Sequence, residues 1–142
     1  SWSGDGAWTV GADLSSAGSA RFLPEWSLQL QAARRVASAT RLQATYRRAE
    51  YRNTVGETYA LSAEHYFARY RVAYALIRGE PSDARATWAH TLRADLYYGE
   101  SNSIGLQLAT GEESESDGAG GLLVSRIRGA GLLGRQALPP DW

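Results

Sequence analysis

The chain has no cysteine and no methionine among its 142 residues. The first absence excludes a disulfide framework, a thiolate metal site and a cysteine nucleophile. The second makes the sequence a processed form or a fragment of a longer product. Lysine is also missing. All fifteen basic residues are arginine, and fifteen acidic residues balance them to zero formal charge. That balance removes nucleic-acid binding by bulk electrostatics. Two histidines, His65 and His90, leave little for zinc or general-base chemistry. No apolar run approaches the ~20 residues that a membrane helix needs. Phenylalanine is scarce at two residues, against five tryptophans and eight tyrosines. Tryptophan and tyrosine favour places where a ring is dry and its polar tip is wet, such as membrane interfaces, sugar-binding surfaces and protein interfaces.

What is present is alternation. Tyr59, Leu61, Ala63, His65 and Phe67 fall on one parity, and Thr58, Ala60, Ser62, Glu64 and Tyr66 on the other. The apolar parity then flips to Tyr70, Val72, Tyr74 and Leu76. A flip across Ala68 and Arg69 is the mark of a short hairpin, because both strands must keep one face on one side. Residues 8–14, 26–33, 41–47, 88–98 and 104–109 alternate in the same way. The reading gives about eight strands joined by turns rich in Gly, Ser, Asn, Asp and Pro. Residues 111–121 read as an acidic loop carrying Glu112, Glu113, Glu115 and Asp117. A last strand spans roughly 122–138, with a turn at Pro139, Pro140 and Asp141 and a further strand starting at Trp142. A helical hairpin over 26–51 is the rival, since Ala, Leu, Gln and Arg are good helix formers. The phase resets at turns favour strands.

Opposite the apolar face lie small residues, among them Ser27, Ala33, Thr45, Ala60, Ala75, Thr91 and Gly105, with scattered charges. Small residues suit a crowded interior. Trp26, Tyr59, Tyr70, Trp88 and Tyr98 near strand ends fit aromatic girdles at a membrane interface. Strands of about ten residues match a tilted bilayer crossing. The expectation is therefore an all-β, antiparallel, up-and-down transmembrane β-barrel. It covers residues 1–142 as one domain, open to truncation at both ends and to being part of a larger barrel. The rival is a soluble up-and-down barrel that binds a small hydrophobic or glycan ligand, with its apolar residues inside.

Two stretches, ARFLPEWSLQLQAARRV and LQATYRRAEYRNTVGETYALSAEHYFARYRVAYAL, resemble the YaiO-type outer-membrane β-barrel family. The resemblance rests on Pro24, Trp26, Tyr46, Arg47, Arg48, Tyr51, Tyr59, Tyr66, Phe67 and Tyr70. It extends through TWAHTLRADLYYGESNSIGLQLATGEE and LLVSRIRGAGLLGRQ, so it covers roughly residues 20–138. It implies a non-enzymatic protein of the bacterial outer membrane, a channel or envelope component linked to surface polysaccharide export or assembly. The partners it implies are membrane lipid and lipopolysaccharide, with a glycan or export-complex proteins, and no nucleic acid. No cofactor is implied.

Arg41, Arg47, Glu64, Arg71, Arg93 and Asp95 share the small-residue face and become candidate lumen charges. They fit either an arginine ring that selects anions in a pore or a plug of ion pairs filling a narrow barrel. His65 and His90 fall on the apolar face. Ser62, Glu64 and His65 cannot form a triad, because neighbours in a strand point to opposite faces. No catalytic residue and no metal site is expected. The carboxylates at 112–117 lack the spacing of a calcium loop.

Overall fold

The computed structural model describes residues 2–3, 8–17, 23–52, 54–99, 101–116 and 122–137. Nine strands follow in chain order. They are β1 (Trp2–Ser3), β2 (Trp8–Ser16), β3 (Trp26–Ala37), β4 (Thr40–Glu50), β5 (Val55–Phe67), β6 (Tyr70–Pro81), β7 (Thr87–Tyr98), β8 (Asn102–Ser116) and β9 (Leu122–Arg135). Each pairs antiparallel with the next in one sheet. No helix occurs among the described residues, and β3 and β4 replace the helical hairpin drawn over 26–51. Two-residue alternation over that stretch would place polar and apolar groups on every side of a helix, whereas a strand separates them.

The acidic segment differs from its expected form. Residues 111–116 are not loop; they extend β8 and pair with residues 122–127 of β9. Backbone pairing across a long hairpin outweighs the weak strand preference of Glu and Ser. Asp117, Pro139, Pro140, Asp141 and Trp142 lie outside the described residues.

The connections are unequal at the two ends of the sheet. At one end β3–β4, β5–β6 and β7–β8 are joined by residues 38–39, 68–69 and 99–101. At the other end β2–β3, β4–β5 and β6–β7 are joined by residues 17–25, 51–54 and 82–86. Ala68 and Gly99 hold positive φ angles of 46° and 61° in the short turns. Tight hairpins need that left-handed step to follow the strand twist. Glycine takes it freely and alanine at some cost.

The two faces differ in character. Tyr59, Leu61, Val72, Tyr74, Leu92, Leu106 and Leu108 share one face, and all are exposed. No large side chain is fully buried among the described residues. Alanine, being one size everywhere, gauges how crowded each face is. Ala12, Ala44, Ala63 and Ala94 on the apolar face are exposed. On the polar face Ala33 and Ala49 are only 5% and 6% exposed, and Ala60, Ala73, Ala75 and Ala89 are half-buried. Ala32 and Ala109 depart from the trend, the latter opposite the bare backbone of Gly129. Small side chains are thus more covered on the polar face than on the apolar one. Among the described residues β9 pairs only with β8, and no ladder joins it to β1 or β2.

Candidate functional site

Register brings most of the expected charges together on the polar face. Arg41 of β4 faces Glu64 of β5. Arg71 of β6 faces Asp95 of β7, and Ala73 faces Arg93. Ala73 also stands opposite Glu64 and carries only a methyl group. Arg71 reaches diagonally past it, placing Nη1 3.6 Å from Glu64 Oε2. Its Nε donates to Asp95 Oδ2 at 3.1 Å. Arg93 donates to the same carboxylate at 2.9 Å from both Nε and Nη2. Arg41 Nη1 closes the row at 3.7 Å from Glu64 Oε1. The result is one chain, Arg41–Glu64–Arg71–Asp95–Arg93, across four strands. It lies toward the short-turn end of the sheet.

The links are unequal in strength. Asp95 is 3% exposed and is held by two guanidinium groups. Charge-assisted bonds in such a site are roughly twice as strong as neutral ones. The Arg41 side chain is 47% exposed, and an ion pair that open to water contributes about 0–1 kcal/mol. The chain is thus firm at β6–β7 and loose at β4–β5. Gly105 of β8 completes the firm end. It stands opposite Asp95, and a β-carbon there would run into Asp95 Oδ1.

Arg47 does not join the chain. It shares the face but stands opposite Gln29 and Thr58, with no carboxylate in ion-pair range among the described residues. Six residues along β4 separate it from Arg41, about 20 Å of strand.

The five aromatic residues expected at a membrane interface lie on the apolar face, toward its two ends. Trp26, Tyr59 and Trp88 lie toward the long-loop end, and Tyr70 and Tyr98 at the short-turn end. Trp88 and Tyr98 are ten residues apart on β7, about 33 Å of strand and about 25 Å in projection at a tilt near 40°. The long-loop rim holds a polar network that sequence reasoning missed. Tyr46 and Tyr59 hydroxyls each donate to Glu57 at 2.9 Å. Arg48 Nη1 lies 3.3 Å from Glu57 Oε1. Trp26 Nε1 donates to Glu50 at 2.9 Å. Arg48 and Arg78 stack over Trp26 and Trp88 at 6.0 and 5.3 Å. Tyr59 and Glu57 are two residues apart on β5, but the other partners lie nine to 24 residues apart, and the strand register identifies them.

Each histidine has one side-chain hydrogen-bond partner, on a neighbouring strand. His65 Nδ1 is 2.7 Å from Thr40 Oγ1, and His90 Nδ1 is 2.6 Å from the Tyr74 hydroxyl. Neither has a carboxylate partner among the described residues, and no group of metal-binding side chains gathers among them. Beneath the long-loop rim the apolar face holds a depression of about 1080 Å³, lined in part by Val10, Leu30, Ala44, Leu61, Leu76 and Trp88.

No family model, curated protein or solved structure matches this chain.

Proposed function

We propose that this sheet is wall of a transmembrane β-barrel in a bacterial outer membrane, with the apolar face against lipid and the arginine–carboxylate chain in the lumen. The observation that carries this is the difference between the two faces. Most small side chains and the arginine–carboxylate chain are on the more covered face, and most large apolar side chains are exposed on the other. In water such an exterior would be an association surface far larger than soluble monomers carry. In a bilayer it is the expected exterior, and closure of the sheet supplies the hydrogen bonds that lipid cannot. The two aromatic rims and the mix of short turns with longer loops agree with a barrel spanning that membrane. The long-loop rim then faces outward and the ion-pair chain lies near the periplasmic side.

Within the envelope the resemblance to YaiO-type barrels suggests a non-enzymatic channel or assembly component for surface polysaccharide. The test is folding in detergent or lipid with migration on a denaturing gel before and after boiling. A barrel runs as a compact heat-modifiable band and needs an amphiphile to fold. A chain that folds to a monodisperse monomer in plain buffer ends this proposal.

A second reading has one observation in its favour, the depression on the apolar face. A soluble barrel would close around that face and bind a small hydrophobic or glycan ligand there. Folding without detergent is its signature.

A further inference from the structure

We infer that Arg35 and Arg41 form a seat for an oxyanion, a carboxylate or phosphate group, on the polar face. The two arginines are directly opposite each other across β3 and β4. Cross-strand neighbours on one face stand about 5 Å apart at their β-carbons, and like charges there repel. Glu64, the acid opposite Arg41, is already shared with Arg71, and Asp95 is taken by Arg71 and Arg93. No carboxylate among the described residues comes within ion-pair range of Arg35. Among the described residues the row Arg35, Arg41, Arg71, Arg93 against Glu64 and Asp95 therefore has two positive charges in excess, and the surplus sits at the β3–β4 end. Both arginines there are exposed. A register shift between Arg35 and Ala37 bends β3 beside the pair, and bulges of this kind re-aim side chains.

A guanidinium presents a planar fork of donors that matches a carboxylate or phosphate two bonds at a time. One oxyanion between two such forks relieves their repulsion and fills their donors. Arginine rings serve anion pathways in channels in the same way. The seat depends on the polar face alone, so it stands or falls separately from the membrane placement of the other face.

The experiment titrates the folded chain, in whichever medium folds it, with inorganic phosphate, glucuronate and chloride at constant ionic strength, followed by calorimetry. Saturable binding of phosphate or glucuronate is expected, with chloride a poor competitor. Which of the two binds tighter assigns the group. Arg35→Gln and Arg41→Gln should each weaken binding about tenfold or more, the size of one charge-assisted bond. Arg47→Gln, on the same face but remote, should leave it unchanged. With no oxyanion present Arg35→Gln should raise the unfolding midpoint, because it removes a like-charge contact. Non-saturating uptake, equal competition by chloride, an equal response of the three variants, or no rise in the Arg35→Gln midpoint would each overturn the seat. Detergent-free folding with anion binding intact would refute the membrane reading and leave the seat in place.

Discussion

Gly105 lies across from Asp95, and the place where its side chain would begin is occupied by the Asp95 carboxylate. The carboxylate is nearly sealed from water, with Arg71 and Arg93 on its open side. A bare backbone on one strand thus makes room for a buried charge on the next. Gly105→Ala should therefore destabilise the fold by about 1–3 kcal/mol, the usual cost of overpacking. Adding Asp95→Ala should give a double variant well short of the sum of the two single losses. Equilibrium unfolding of the four proteins checks this, and strict additivity would show that the two residues do not compete for space.

Asp95→Ala alone leaves two guanidinium groups facing each other without their shared acid. Breaking a buried pair costs about 3–5 kcal/mol. The side chains of Arg71 and Arg93 are 21% and 35% exposed, so water recovers part of it and about 2–3 kcal/mol is expected. Arg41→Ala, at the loose end of the same chain, should cost under about 1 kcal/mol. Equal losses for the two variants would mean that the chain is not graded in the way its burial indicates.

Leu92 separates the two possible surroundings of the apolar face. It is 44% exposed at mid-strand on that face. In a bilayer Leu92→Arg should cost about 2–4 kcal/mol near the midplane. In water a substitution at so open a position usually stays within about 0.5 kcal/mol. Folding efficiency into vesicles reads the difference directly.

The ion-pair chain bears on conductance. If it obstructs a lumen, the double variant Glu64→Ala with Arg71→Ala removes its centre and should raise single-channel current in planar bilayers. The Arg47→Ala protein should conduct like the parent, since Arg47 lies outside the chain. Current unchanged in the double variant would place the constriction elsewhere.

Much of this was legible in the residues. Alternation over 57–67 and 70–76, with its reversal at Ala68 and Arg69, predicts the β5–β6 hairpin as it stands. It also puts Arg41, Glu64, Arg71, Arg93 and Asp95 on one face, because period two is a local property of a strand. The acidic stretch at 112–116 misled because composition there speaks for loop, while its pairing with β9 is not local.

The order of residues alone determined the strand class, the hairpin turns and the division into a small polar face and a large apolar one, since each follows from neighbours one or two positions apart. The tertiary structure decided which face is the more covered, which arginine meets which acid, and that Arg47 meets none among the described residues while Arg35 meets another arginine. Those depend on register, which is set by strands far apart in the chain, and on side-chain crowding summed over the whole sheet.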